Sequence, residues 1–157
     1  MSTSTADYGH LLREAINQAK ATAPRAVDDL LRCASKAAEA VAGVTGGAAA
    51  LELVPINQGA DAKLAYQLQL RKVGSEAPPS DLGVYCVTAA GYPVLRWYSR
   101  KTWQSRPDTP DEEYPGVNEL EGNFRWMVSK PESRLVMLVS FFQQQGPSAL
   151  STTVGPA

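Results

Sequence analysis

Apolar side chains recur near the start of the chain at Tyr8, Leu11, Leu12, Ala15, Ile16 and Ala19. This is the i, i+3, i+4, i+7 spacing of one face of a helix. Ser4 and Thr5 supply capping oxygens, and Asp7 adds a carboxylate where the helix dipole favours it. Pro24 interrupts the pattern and suits the first turn of a new helix better than the interior of an old one. A second stripe follows at Val27, Leu30, Leu31, Ala34, Ala38 and Val41, and Gly43 is a natural stop. The pair reads either as a helical hairpin or as one long helix kinked at Pro24.

From Leu51 the period changes from 3.6 to 2. Leu51–Ile56 reads as a short strand and Asn57–Asp61 as a turn. Leu64, Tyr66, Leu68 and Leu70 alternate with more polar neighbours, as a half-buried strand requires. Residues 82–89 and 92–100 flank Ala90-Gly91 and read as a hairpin. Lys101–Asn118 collects prolines and acids and reads as a long surface loop. Leu120, Gly122, Phe124, Trp126 and Val128 again alternate with polar residues, which predicts a further strand. Leu135–Phe142 is apolar on both faces, as a central strand would be, with a short buried helix as the competing reading. The expected fold is α+β: two N-terminal amphipathic helices within 5–42, packed on one face of an antiparallel sheet of about six strands within 50–143. Residues 1–143 form the single expected domain, and 144–157 read as a disordered tail.

Charge adds one asymmetry to this picture. The formal net charge of −1 divides into balance over residues 1–48, an excess of three positive charges over 49–107, and an excess of four negative charges over 108–157. Internal pairing of the basic segment with the acidic one is the simplest reading. Cys33 and Cys86 are too few for a disulfide framework and read as buried thiols. With no leader-like start and no apolar run approaching a membrane span, the sequence predicts a cytoplasmic protein without a membrane partner.

Candidate chemistry is sparse. The only histidine, His10, lies across from the apolar stripe and reads as solvent-facing, so it is not expected to serve as the base of a Ser-His or Cys-His site. No CxxC, HxxxH or calcium-loop spacing occurs, and Asp108, Asp111, Glu112 and Glu113 read as a solvated acidic loop. Gly43–Gly47 lacks the lysine of a phosphate loop. No catalytic residue, metal or cofactor is therefore expected, and the protein does not read as an enzyme.

One segment stands out: Leu95–Arg106 interleaves cations with aromatics. Arg96, Tyr98 and Arg100 would share one face of a strand, Lys101, Trp103 and Arg106 follow, and Arg125 would join them from another strand. Trp, Tyr and Arg are the usual anchors of protein interfaces. The same groups suit single-stranded nucleic acid, where bases stack and phosphates pair. The expectation is a non-catalytic protein-interaction module of adaptor, regulatory or immunity type. Its partner is another protein or a second copy of itself, and single-stranded nucleic acid is the alternative.

Overall fold

The structure is a computed structural model that describes residues 5–56 and 64–154. The expected Ser4 cap, the 57–61 turn and the last three residues of the chain lie outside it. The chain runs α1 (Thr5–Thr45), β1 (Ala49–Pro55), β2 (Leu64–Lys72), β3 (Ser80–Thr88), β4 (Gly91–Trp97), α2 (Arg100–Ser105), β5 (Glu112–Tyr114), α3 (Val117–Ser129) and α4 (Arg134–Val154). The α+β class is as expected, with helices packed on an antiparallel sheet.

The strands form one meander in the order β1-β2-β3-β4-β5, every neighbour antiparallel. The alternation read from the sequence sets the pairing: Leu51 lies opposite Leu70, Leu53 opposite Leu68, and Tyr66 opposite Tyr85. Between Gln67 and Gln69 the register advances three residues on β3, from Val84 to Asp81. Gly83 supplies the left-handed backbone there, with φ of +119°, and a Cβ on it would stand 2.6 Å from the carbonyl oxygen of Trp97. Only glycine meets both conditions without strain. The bulge turns Leu82 toward the face that carries Tyr85, although Val84 points to the other.

The structure decides between the alternatives the sequence left open at two elements, the N-terminal helices and residues 135–142, and departs from the sequence reading at others. The N-terminal helices are one continuous helix with Pro24 inside it. The sheet has five strands among the described residues, not about six. Residues 120–128 are helical: Leu120, Phe124 and Met127 are the buried positions, at i, i+4 and i+7, while Trp126 and Val128 face outward. The apparent two-residue alternation was a coincidence of residue types with the wrong period. Residues 135–142 are also helical, with Leu135, Leu138, Val139 and Phe142 packed inward and Met137 and Phe141 exposed. Ser133 starts this helix by accepting from the Val136 amide at 3.1 Å. Helix α4 continues to Val154, through residues that read as a patternless tail.

Two cores result. On one face of the sheet, Ala26, Leu30, Cys33, Ala37 and Val41 of α1 pack with Leu68, Leu70, Tyr85 and Val94 of the strands and with α3 and the start of α4. Each fully buried leucine contributes about 1.5–3 kcal/mol to that core. On the other face, Ala65, Val84, Cys86 and Trp97 form a smaller cluster beneath Trp103 of α2. Cys33 and Cys86 are both buried, on opposite faces of the sheet. Among the described residues, no helix is long and apolar enough to cross a membrane.

Candidate functional site

The aromatic–basic segment does not form one surface. Strand β4 ends at Trp97, and Ser99 caps α2 through a reciprocal capping box with Thr102. The turn into α2 sends the predicted residues in different directions. Arg96 points toward α3. Arg100 is on the far side of the sheet, where its Nη1 donates to Gln67 at 3.2 Å. Trp103 packs on the smaller core, and Lys101 and Arg106 are exposed on and just after α2. Arg106 approaches Asp111 at 3.7 Å, and its carbonyl accepts from the Trp97 indole at 2.7 Å. Arg125 is exposed on α3, beside Cys33 and Lys36 and outside the lining of the cleft that holds Arg96 and Tyr98. The strand face on which Arg96, Tyr98, Arg100 and Arg125 were expected to meet is therefore not formed. The expected pairing of the basic segment with the acidic one is present in Arg96–Glu112 at 3.8 Å and Arg106–Asp111.

Arg96 and Tyr98 instead line a cleft of about 770 Å³ between the β4–β5 edge, α3 and the start of α4. Leu82, Met127 and Leu135 give it apolar walls, and Glu119, Asn123, Trp126 and Arg134 reach it from the helices. Its volume falls within the range of about 300–1,000 Å³ usual for binding sites.

The inner end of the cleft is a polar network centred on Arg96 and Asn123. Arg96 Nη1 donates to Asn123 Oδ1 at 2.8 Å, and Nη2 donates to the Leu82 carbonyl at 3.2 Å. The guanidinium carbon lies 5.3 Å from the ring centres of both Tyr85 and Tyr98, so the cation is held between two aromatic rings. Asn123 Nδ2 donates to the Tyr85 hydroxyl at 2.7 Å. Glu112 accepts from the Tyr98 hydroxyl at 2.8 Å and from the Tyr114 hydroxyl. Burial pushes the phenols of Tyr85, Tyr98 and Tyr114 above their ordinary range; Glu112 reinforces this at all three, and Arg96 opposes it. The three phenols are thus uncharged at neutral pH; Tyr98 and Tyr114 donate to Glu112, and Tyr85 accepts from Asn123. The buried Nε of Arg96 has no hydrogen-bond partner among the described residues.

The mouth of the cleft differs from its inner end. Tyr98 is 51% exposed and Trp126 46% exposed, although both are large aromatics. Glu113 and Glu119 add two carboxylates there against the single guanidinium of Arg134. With Arg96 and Glu112 compensating each other inside, the remaining charge at the mouth is negative. Sequence reasoning identified Arg96 and Tyr98 but missed Asn123, Trp126 and Glu119. The Leu120-x3-Phe124-x2-Met127 spacing was the signal that could have placed those residues on a helix beside the sheet.

His10 is exposed, 3.5 Å from Glu14 on the same helix and remote from the cleft. Among the described residues, no group of three or more histidine, cysteine or carboxylate side chains is placed to hold a metal ion. Comparison with protein-family models, curated proteins and solved structures finds no match to this chain.

Proposed function

We propose that this protein is a non-catalytic interaction module, and that its cleft grips a segment of a protein partner carrying a large apolar side chain next to a lysine or arginine. The observation that carries this reading is the exposure of Tyr98 and Trp126 at the mouth of an apolar-walled cleft with a negative rim. Aromatic anchors beside a pocket are the usual energetic centre of a protein interface. An apolar partner side chain would enter between Met127 and Leu135. A cation next to it would meet Glu119 and the exposed aromatic faces, which attract positive charge. The inner polar network is pre-organised, so little ordering cost falls on the module when it binds.

The protein-partner reading is preferred to single-stranded nucleic acid because the cations needed for a phosphate track are separated in the fold. Arg96 is turned inward and Arg106 is beside Asp111. The reading takes the protein to act in the cytoplasm.

The test is selection of displayed random peptides on the immobilised full chain. The expected winners pair Leu, Phe or Trp with Lys or Arg, and they lose binding to Trp126→Ala and Glu119→Lys. Winners that are acidic, or that bind both variants as well as the original chain, would overturn the assignment.

A further inference from the structure

The first half of α1 exposes its apolar face. Tyr8 is 69% exposed, Leu11 57%, Leu12 62% and Ile16 44%. Ala26, Leu30, Cys33, Ala37 and Val41 continue the same helical face and are buried. The helix therefore runs past the end of its own core, and a stripe built like a core face is left uncovered. An overhang of about 20 residues is some 30 Å long.

We infer that this overhang pairs with the overhang of a second copy of the chain, antiparallel, to form a two-fold dimer. Three observations select this occupant. The first is length. A two-fold axis at Leu12 sets Tyr8 opposite the second copy's Ile16 and Leu12 opposite its own counterpart. Each helix start then reaches only residue 19 of the other copy, short of Ala26, where the helix enters its core. Both domains stay clear of the paired arms. The second is charge. Residues 5–20 hold two acids, Asp7 and Glu14, and two bases, Arg13 and Lys20, so two arms meet without net repulsion. A balanced arm also lacks the excess of Lys and Arg that draws amphipathic helices to anionic membranes. The third is area. The four exposed side chains offer on the order of 500 Å² per copy, so a pair buries about 1,000 Å², the lower bound of a specific interface. A self-complementary patch of this kind is what a two-fold contact requires.

The dimer is independent of the cleft, none of whose lining residues belongs to α1. It would present two clefts on one particle and raise the avidity for a repeated partner segment.

The experiment is sedimentation velocity on the full chain across roughly 1–100 µM, with and without phosphatidylcholine–phosphatidylserine vesicles. The expected result is a particle of twice the 16.8 kDa chain mass. Leu12→Glu should halve that mass. Glutamate is a good helix former, so the helix persists, which circular dichroism of the variant checks. Asn17→Glu, on the opposite side of the helix, and Trp126→Ala, in the cleft, should both remain dimeric. A chain that is monomeric throughout the range, a dimer that Leu12→Glu leaves intact, or a monomer that pellets with the vesicles would each overturn the inference.

Discussion

Asn123 Nδ2 donates to the hydroxyl of Tyr85 at 2.7 Å, a bond that ties the middle of α3 to the central strand of the sheet. The same amide accepts from Arg96 through Oδ1, so one side chain satisfies a buried phenol and a buried cation together. Asn123→Ala leaves both without that partner. The expected loss is about 1–3 kcal/mol of folding stability, read as a lower urea midpoint. Asn123→Asp keeps the acceptor for Arg96 and removes the donor to Tyr85, so it should lose less.

Gly83 carries the bulge that turns Leu82 toward the cleft. Its φ of +119° and the 2.6 Å approach of the Trp97 carbonyl leave no place for a side chain. Gly83→Ala should cost about 2 kcal/mol or more in a denaturant titration. Gly43→Ala serves as the comparison, because a Cβ there meets nothing within 4 Å. It should be neutral or slightly stabilising within its helix.

Hydrogen bonds from Arg71, the nearest at 3.0 Å, hold the Glu52 carboxyl below its ordinary range, and Gln69 helps. The folded value is the lower one. The stabilisation is therefore present above the unfolded value of about 4.3 and is lost as pH falls through the folded one. Glu52→Gln should lower the melting temperature slightly at neutral pH and leave it unchanged below the folded value, so the acid limb of the profile flattens. The pair is partly solvated, so the effect is small.

Four of the six tyrosines, Tyr85, Tyr92, Tyr98 and Tyr114, have their phenols pushed up by burial. Asp29 adds to this at Tyr92, which donates to it at 2.8 Å, and Glu112 adds to it at Tyr98 and Tyr114. Here the folded value is the higher one. The stability these phenols contribute is complete below about pH 10 and is lost as pH rises toward their folded values. Phenolate absorbance should remain incomplete while the protein is folded and finish together with alkaline unfolding. A single complete step with the fold intact would contradict the buried network.

The sheet was legible because its strands alternate cleanly: Leu64, Tyr66, Leu68 and Leu70 belong to a strand and to little else. Helix α3 was not, because Phe124 and Trp126 are two apart and both apolar, and that pair imitates a strand. The packing that separates them, with Phe124 stacked 5.4 Å from Tyr85 and Trp126 turned outward, is tertiary. The cleft was half legible. Arg96 and Tyr98 were visible as an aromatic–cation pair, but their neighbours come from other elements, Asn123 lying 27 positions beyond Arg96, joined by a bulge and a helix docking. The apolar stripe of α1 was fully legible, yet only the structure shows that its first half extends beyond the core.

The central claim, that a partner segment is held in the cleft, is tested most directly by nitrogen–proton correlation spectra of the full chain titrated with a selected Lys/Leu-rich peptide. The chain has three tryptophans, and their indole signals report separately on the smaller core, through Trp97 and Trp103, and on the cleft, through Trp126. The account predicts that the Trp126 indole and the amides of Tyr98 and Glu113 shift while the Trp103 indole stays in place. Shifts confined to Trp103, Lys101 and Arg106 would contradict it and move the binding surface to the basic helix on the opposite face of the sheet.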